Sequence, residues 1–523
     1  MPAPHVIAVE TFAHHGTVAE FDALVVLSDS LSAIADQAIV EALVAHQTID
    51  GRVGKELVVV PCAEAPAQRL IHIPTGELTH YYDDVRRIFD AARKAADTLL
   101  AAGAQKPLVM VNLAQKANQF SKAKEASYLG LCQGLWQPLE AREAQLESEL
   151  EPISAIGIVG VNAAQAEQLY ALELGKRLAR DLCGTEPERM APPAFADYCV
   201  EAFKDTAVKV EVIADDSVLR KEYPLLHAVA RASVPVERHQ PRVVRLTYDG
   251  SGLTQKSLFL AGKGITFDTG GADLKVGGHM AGMSRDKGGA ASVAGFMRTL
   301  AEVKPENLKV VAELGVVRNS IGDDAFVPDE IIRGHAGVRV RVGNTDAEGR
   351  MVLADVLSHL RELALAEPQQ TQPELFSVAT LTGHAAIALG PYTGYVQNGC
   401  AESRQVAKHI IANGELWGDC GEISRSRRED YAFIAPRSKA DDVLSSNNAP
   451  SVSTMRGHQF PMAFLAIASG LVQHDVDCTE PLAYTHVDIA GSGVENSDWQ
   501  HGKPTAAALT ALVSTYAFSG KGH

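Results

Sequence analysis

The sequence lacks the features that would place it in a membrane or outside the cell. No apolar run approaches the roughly 20 residues that a helix needs to cross a membrane. The amino terminus has no basic start followed by a long apolar segment, as a secretory signal would have. Its seven cysteines are scattered without metal-finger spacing, which is typical of reduced thiols. We therefore expect a cytoplasmic protein with no membrane segment.

Positive charge is also scarce. The chain has 48 Lys and Arg against 64 Asp and Glu, a formal net charge of -16, and no basic arm. This acidity opposes non-specific binding of nucleic acid, so nucleic acid is not an expected partner, and solubility is its simplest explanation. The glycines form no Gly-x-x-x-x-Gly-Lys-Ser/Thr phosphate loop, so no nucleotide site is expected in the amino-terminal part.

The 523 residues suffice for two domains, each with its own core. Strand-like apolar runs alternate with helical stretches before residue 165, and apolar residues spaced by three and four mark the clearest helix at 83–102. We predict a smaller N-terminal α/β domain at residues 1–165, joined by a connecting helix at 166–185.

The remaining residues, 186–523, predict a larger C-terminal α/β domain with a mixed central sheet covered by helices on both faces. The polar segment 421–457 is predicted to be a loop, either an ordered rim of a site or a mobile surface segment. The strand-like runs of this domain are 243–246, 258–260, 310–317, 338–342, 376–379 and 484–489.

Residues 344–350, NTDAEGR, follow the predicted strand 338–342 and concentrate charge at its end. Asp346, Glu348 and Arg350 occupy every second position, so in extended backbone their side chains would share one face. Charges at a strand end of an α/β domain are where ligands usually bind. The alternative is a solvated turn with an internal ion pair between Glu348 and Arg350.

A second charged segment covers residues 258–286, an apolar strand followed by a predicted glycine-rich loop. Of its charged residues, Asp273 and Arg285 are the candidates for simple solvated loop positions. The charged residues of this loop are Lys263, Asp268, Asp273, Lys275, Arg285 and Asp286.

Together the two segments offer four carboxylates, which repel one another strongly unless cations lie among them. Divalent metal ions would satisfy such an oxygen-rich site, and the absence of a His-x-x-x-His spacing argues against imidazole as the organising ligand. One lysine could coordinate a metal through its neutral amine and the other could polarise a substrate carbonyl, but the spacing does not assign these roles. The four carboxylates are those of Asp268, Asp286, Asp346 and Glu348.

The motifs GKGxxFDxGG and NTDAEGR resemble the signature of the leucyl aminopeptidases, also called cytosol aminopeptidases, and the resemblance covers roughly residues 170 to 515. It implies two divalent metal ions, Zn or Mn with Mg as an alternative, in the C-terminal catalytic domain, and a non-catalytic N-terminal domain. Lys275 would be the electrophilic lysine, and Arg350 would anchor a bicarbonate that acts as general base. One metal would be held by Lys263, Asp268, Asp286 and Glu348, and the other by Asp268, Asp346 and Glu348.

The resemblance also implies a homohexamer and a substrate pocket built from the segments ATLTG and HVDIAG. Met283 and Ala490 could instead be plain core, and ATLTG a buried strand end. The implied pocket residues are Met283, Asn344, Thr380, Leu381, Gly383 and Ala490.

Several positions depart from the family's usual residues without removing a metal ligand. Together they argue against assuming a preference for leucine, and His384 is predicted to be structural or pocket-lining. The departures are Arg318, Val327, Lys287, His384, Met351 and the run 336–339.

The function that follows is removal of the first residue from peptides with a free amino terminus, through a water activated by two metals. One alternative is another di-metal amidase or a phosphoesterase. Another is a DNA-binding or structural member of the same fold, although a purely structural metal site would need neither Lys275 nor Arg350.

Overall fold

A computed structural model describes residues 3–12, 20–114 and 116–518. The chain forms two compact units, one of Met1–Arg177 with Ala412–Asp419 and one of Leu178–Ile411 with Cys420–His523. Each unit combines helices with a β-sheet. The predicted α/β class with a smaller and a larger domain is therefore confirmed.

The first unit contains a six-stranded sheet in the order β1-β6-β5-β2-β4-β3. All neighbours are parallel except β3, which runs antiparallel to β4. The central strand β2 is buried along its whole length, as expected for a parallel strand covered on both faces. The strands are β1 His5–Val9, β2 Ala23–Ser28, β3 Val58–Pro61, β4 Arg69–Pro74, β5 Pro107–Asn112 and β6 Ala155–Val159.

The helix predicted at 83–102 is observed as Arg86–Ala101, with the expected apolar residues buried. It begins later than predicted because Asp84 precedes it in a turn and accepts a hydrogen bond from the Arg86 backbone N–H at 2.9 Å. The last helix of this part continues as one element through the predicted connector. These helices are α1 Gln37–Gln47, α2 Arg86–Ala101, α3 Ala123–Leu135, α4 Leu139–Ala144, α5 Glu147–Leu150 and α6 Ala163–Gly184.

The second unit contains an eight-stranded sheet in the order β15-β14-β17-β13-β9-β10-β8-β7, together with a three-stranded sheet, β11-β12-β16. Parallel and antiparallel neighbours both occur in the large sheet, so it is mixed as predicted. The strands are β7 Val208–Ile213, β8 Arg242–Asp249, β9 Lys256–Asp268, β10 Leu308–Asn319, β11 Ile331–Arg333, β12 Arg339–Arg341, β13 Glu374–Ala379, β14 Thr393–Gln397, β15 Gly421–Ile423, β16 Val443–Leu444 and β17 Ala483–Asp488.

Four adjacent strands of the large sheet, β17, β13, β9 and β10, are mutually parallel. Their carboxyl ends therefore meet at one edge, where Asp488, Ala379, Asp268 and Asn319 are the last strand residues. This edge is the expected position of a ligand site in an α/β sheet.

Helices cover the large sheet, and α11 packs with β9, β10, β13 and α16 around a continuous apolar core. The helices are α7 Pro192–Ala202, α8 Asp216–Glu222, α9 Pro224–Ala230, α10 Gly288–Val303, α11 Glu348–Leu365, α12 Gly383–Leu389, α13 Gly399–Ser403, α14 Val406–Leu416, α15 Arg428–Phe433, α16 Phe460–Ala468 and α17 Leu509–Tyr516.

The predicted start of the glycine-rich loop is wrong, because β9 continues to Asp268 and carries Lys263 on the strand. Its glycines serve close packing: a Cβ on Gly262 would lie 2.7 Å from Ala290 Cα in α10. Glycine here marks a close approach between strand and helix, which the sequence alone does not distinguish from a loop.

Two other predictions need correction. The strand expected at 338–342 is shorter, Arg339–Arg341, and belongs to the three-stranded sheet instead of the central one. The polar segment 421–457 contains β15, α15 and β16 and is not simply a loop.

No helix in the described ranges combines the length and apolar character that a membrane span requires. All seven cysteines lie within those ranges, and none of them forms a disulfide bond.

Candidate active site

The strand β9 places two of the predicted metal ligands, Lys263 and Asp268, at the ligand edge of the sheet. The Lys263 side chain is 4% exposed. Its Nζ lies 2.8 Å from Asp286 Oδ2 and 3.0 Å from Glu348 Oε1, and it donates to the Thr380 carbonyl oxygen at 2.9 Å. Lys263 thus brings together β9, the N-terminal end of α11 and the segment after β13.

Asp268 is buried at the end of β9 and is held from two sides. Its Oδ1 accepts hydrogen bonds from Asn319 Nδ2 at 2.8 Å and from the Gly270 N–H at 2.9 Å. Its Oδ2 lies 3.0 Å from Lys275 Nζ, which also lies 2.5 Å from Asp346 Oδ1. Lys275 therefore bridges two carboxylates from different segments.

Asp286 lies just before α10 and is buried. Thr380 Oγ1 donates to Asp286 Oδ1 at 2.6 Å, and Lys263 Nζ donates to the same oxygen at 2.9 Å. These bonds fix Asp286 between β9 and the end of β13.

The prediction that the NTDAEGR segment is extended across its charged residues is wrong. Glu348 begins α11, so Glu348 and Arg350 lie in the first helical turn, and Asp346 lies in the turn before it. The alternative of a solvated turn is also wrong, because Glu348 is 1% exposed and Arg350 is 3% exposed. Arg350 Nη1 donates to the Ser445 carbonyl oxygen at 3.0 Å, and its guanidinium lies 4.9 Å from the centre of the Phe460 ring.

The electrostatics of the cluster follow from crowding of buried charge. Burial, assisted by the Asp268 carboxylate, raises the pKa of Glu348 to about 8. Burial also raises the pKa of Asp286 to about 6. Burial alone would lower the pKa of the Lys263 and Lys275 ammonium groups, but the surrounding carboxylates outweigh it, so both pKa values lie above the usual range.

The donor set fits divalent cations. Asp268, Asp346 and Glu348 each offer a carboxylate oxygen, and these atoms lie within 4.8 Å of one another. Glu348 Oε2 is buried and has no hydrogen-bond partner among the residues that the structure describes. The carboxylates lie close together with raised pKa values, and one of their oxygens has no hydrogen-bond donor. Both features fit a site that binds hard or borderline cations.

The structure places the predicted pocket residues around the same edge. Two of them stabilise the site directly: Thr380 donates to Asp286, and Asn344 Oδ1 accepts from the Asp346 N–H at 2.7 Å. The backbone N–H groups of Leu381 and Ala490 both donate to Asp488 Oδ1, at 3.2 and 3.1 Å.

The other two predicted pocket residues are glycine and methionine. Gly383 begins α12, and a Cβ there would lie 2.7 Å from Val452 Cγ1, so a larger residue would require the Val452 side chain to shift. Met283 lies in the short 3-10 turn before Asp286 and is partly exposed, which argues against the plain-core alternative for this residue.

Three residues that hold the site together were not predicted from the sequence. Asp488 is fully buried and fastens the segments after β13 and β17, and Asn319 binds Asp268. Asp273 is exposed, as predicted, but it also holds the motif: its Oδ2 accepts from the Thr345 N–H at 2.7 Å. The signal that could have identified Asp488 and Asn319 is a polar residue at the end of an apolar strand.

Arg285 is not a simple solvated residue, because it donates to the carbonyl oxygens of Trp499 and Gln500, both at 2.9 Å. Among the departures, Arg318 Nη1 donates to Glu188 Oε1 at 2.8 Å, and Val327 is exposed.

Two of the other departures, Lys287 and His384, lie close to the site. Lys287 is fully buried, and its Nζ donates to the Thr185 carbonyl oxygen at 2.8 Å and to that of Ser284. His384 Nδ1 lies 2.7 Å from His458 Nδ1, which supports a structural or pocket-lining position.

Comparison with known sequences agrees with this geometry. The model of the cytosol aminopeptidase family, catalytic domain, matches residues 177–513, which include both charged motifs. A Caenorhabditis elegans protein named "Putative aminopeptidase W07G4.4" is 40% identical over 459 residues, 87% of each chain. A "Probable cytosol aminopeptidase" of Synechococcus sp. (strain CC9902) is 31% identical over 377 residues, 71% of this chain and 74% of that protein.

Comparison with solved structures shows a shared fold. The apo structure of leucyl aminopeptidase from Trypanosoma cruzi has a TM-score of 0.79 at 21% identity and covers 98% of this chain and 96% of its own. The bottromycin maturation enzyme BotP in complex with Mn has a TM-score of 0.74 at 23% identity, covering 94% and 98%. At these identities the likeness concerns the fold alone.

Proposed function

Since the chain belongs to the cytosol aminopeptidase family, as its two motifs indicated, we propose that it hydrolyses the amino-terminal residue from peptides with a free amino terminus. The observation that carries the proposal is the cluster in which Lys263, Lys275 and four carboxylates converge at one sheet edge. A charge cluster of this kind, buried and shared between distant segments, is characteristic of a catalytic site.

We assign this chemistry to residues 186–523, with residues 1–165 as a non-catalytic domain and 166–185 as the connecting helix. All residues proposed as ligands or catalytic groups lie after residue 260.

Two divalent cations are the proposed cofactors, Zn or Mn with Mg as an alternative. Lys263, Asp268, Asp286 and Glu348 would hold one, and Asp268, Asp346 and Glu348 the other. Bound there, they would supply a water of lowered pKa, polarisation of the scissile carbonyl and a binding point for the free amine of the substrate. The oxygen-rich donor set and the unpartnered Glu348 Oε2 support this proposal.

The residues of the chain would then divide the remaining work. Lys275 is positive and can donate a hydrogen bond to the developing oxyanion of the substrate carbonyl. Arg350 keeps its Nε without a hydrogen-bond partner in the described part of the chain, and a bicarbonate bound by its guanidinium is the proposed general base.

Selectivity for a free amino terminus would follow from the same site. An internal peptide bond brings no free amine, and the pocket residues around Thr380, Leu381, Gly383, Met283 and Ala490 would receive the first side chain. The preference for leucine is left open by the departures at Lys287 and His384. A cytoplasmic homohexamer is proposed on the family relationship alone.

The test compares Leu-Gly with N-acetyl-Leu-Gly, using protein reconstituted with Zn²⁺ or Mn²⁺. We expect hydrolysis of Leu-Gly and none of the acetylated peptide. Comparable cleavage of both would favour a general di-metal amidase instead. In parallel, Glu348→Gln should lose both metal and activity, whereas Glu429→Gln, a change at an exposed carboxylate, should retain both.

A further inference from the structure

A second group of metal-ligating side chains lies outside the carboxylate cluster. Glu222 ends α8, His335 lies in the turn after β11, and His359 lies on α11, so three distant parts of the sequence meet here. One ligand atom from each residue lies within 4.8 Å of the other two, and all three residues are partly exposed. A cation could reach these atoms from solvent.

Each imidazole ring has one nitrogen in a hydrogen bond, and the other nitrogen is the candidate metal ligand. His359 Nε2 lies 2.8 Å from the Glu222 carbonyl oxygen, which can only accept, so Nε2 carries the proton and Nδ1 keeps its lone pair. His335 Nδ1 lies 2.8 Å from Ser358 Oγ, a hydroxyl that can donate or accept. In the tautomer whose Nδ1–H donates to Ser358, His335 Nε2 keeps its lone pair, 3.7 Å from Glu222 Oε2.

Burial also favours the neutral form of both rings. Burial lowers the pKa of His335 and of His359 below the usual histidine value. A neutral imidazole whose second nitrogen is held by a hydrogen bond is the form that binds metals.

We propose that Glu222, His335 and His359 form a metal site of their own, for one divalent cation of the Zn²⁺ and Cu²⁺ class. Two imidazole nitrogens and one carboxylate oxygen suit these borderline cations, whereas the carboxylate-rich centre contains no imidazole. Water would complete the coordination, since the site opens to solvent.

Binding requires a modest closure of the site. Ligand atoms around a tetrahedral Zn²⁺ lie about 3.3 Å apart, given metal–ligand distances of about 2.0 to 2.1 Å. The two imidazole rings are stacked, with centroids 3.9 Å apart and an interplanar angle of 22°, so one ring must rotate. Lys221 Nζ binds Glu222 Oε1 at 2.7 Å and leaves Oε2 facing His335.

The position of the site indicates what it would do. His335 also donates its backbone N–H to Asp355 Oδ1 at 2.9 Å, and Asp355 and His359 both lie on α11. A bound cation would therefore fasten α8 and the His335 turn to the helix that begins with Glu348. This inference does not depend on the proposed peptidase activity.

Cu²⁺ and pulsed electron paramagnetic resonance distinguish this site from the carboxylate centre. With about one equivalent of Cu²⁺ added to the full-length protein, we expect the nitrogen modulation of two coordinated imidazoles. A spectrum without imidazole nitrogen would overturn the proposal and leave the rings as a packing stack.

Variants identify the ligands. His335→Asn and His359→Asn should each remove one imidazole from the signal and weaken Cu²⁺ binding by at least about tenfold. Glu222→Gln, which keeps both rings, should weaken binding while retaining the two-nitrogen signature, and it serves if a histidine variant is poorly folded. His46→Asn is the control, because His46 pairs with Asp50 at 3.8 Å and belongs to no group of three metal-ligating side chains in the described part of the chain. A two-imidazole signal that persists in both histidine variants, or a Cu²⁺ affinity unchanged in all three site variants, would contradict the assignment.

Discussion

At the scale of single residues, Lys275 shows how the site balances its charge. It lies between Asp268 and Asp346, whose carboxylates balance its positive charge, and its side chain is 14% exposed and therefore accessible. Lys263 is almost completely enclosed by comparison, at 4% exposure. The two lysines therefore have different surroundings, which is the distinction that sequence spacing could not provide.

Lys275→Met tests the assignment of the electrophile. We expect the bound metal to persist while kcat falls on the order of 100-fold or more, because one oxyanion donor is lost and no proposed ligand is removed. Metal analysis and kinetics on Leu-Gly measure both quantities. Lys55→Met, at an exposed lysine of the first unit, is the matched control. Loss of metal from Lys275→Met would instead assign Lys275 to coordination.

Metal binding should depend on pH through the carboxyl groups of the site. Glu348 is protonated below its pKa of about 8 and Asp286 below its pKa of about 6, so a cation must displace these protons in order to bind. The apparent affinity should thus fall as pH falls from 8 to 6, by about tenfold per pH unit for each proton released. Calorimetric titration in buffers of different ionisation enthalpy counts these protons, and a pH-independent affinity with no proton release would refute the coupling.

The residue scale also shows where sequence reasoning ends. Charged residues concentrated in two motifs could be predicted to converge, and the structure brings them together. Asp488 was missed, because a single polar residue at the end of an apolar strand is a weak signal, and its partners Leu381 and Thr382 lie more than 100 residues away.

At the scale of elements, the packing of strand β9 against helix α10 requires glycine where the two backbones approach each other closely. A Cβ on Gly262 would lie 2.7 Å from Ala290 Cα and 2.8 Å from Leu314 Cδ2. Lys263 is the next residue on β9, and Asp286 lies just before α10. The spacing between these two elements therefore sets the spacing between two proposed metal ligands.

Gly262→Ala should lower the free energy of unfolding by about 1 to 3 kcal/mol, because overpacking forces β9 and α10 apart. Metal affinity should fall with it, since Lys263 and Asp286 move relative to each other. Chemical denaturation and metal titration measure the two effects. Gly51→Ala is the control, because nothing lies within 4 Å of a Cβ at that position, and an equal effect in both variants would argue against the packing explanation.

Elements with strong local patterns were predictable, and elements defined by tertiary contacts were not. The apolar strands near 310–317 and 376–379 were found because they are buried on both faces, and the strand near 243–246 because three of these four residues are buried. The strand β7 has mostly exposed or partly exposed residues and was missed. Glu348 was predicted to lie in extended backbone, but it begins a helix. The prediction was wrong because the same polar residue types occur at the end of a strand and in the turn before a helix.

At the scale of the whole molecule, the first unit has a buried histidine of its own. In the first unit, His72 is fully buried and its Nε2 lies 2.9 Å from Ser28 Oγ. Burial lowers the pKa of His72 from 6.5 to about 4. The first unit is therefore expected to respond to acid independently of any metal.

The sign of this response follows from linkage. A histidine with a lowered pKa contributes its full stability above pH 6.5 and loses it as pH falls to about 4, by up to about 3 kcal/mol. His72→Gln should remove this part of the acid destabilisation, as measured by calorimetry of the full-length protein between pH 4 and 7. His46→Gln, at a surface helix, is the control and should leave the pH dependence of stability unchanged. An unchanged pH dependence in His72→Gln would contradict the prediction.

The assignment of Ala412–Asp419 to the first unit has a consequence for how the protein is made. In this segment the Trp417 ring lies 5.0 Å from Lys122 Nζ, so a residue late in the chain completes a contact with one near the start. On the ribosome, at about 5 to 20 residues per second, residue 417 emerges on the order of tens of seconds after residue 177. The nascent first unit must wait through that interval with this part of its surface uncovered, and a fragment truncated after the connecting helix would never acquire the missing piece.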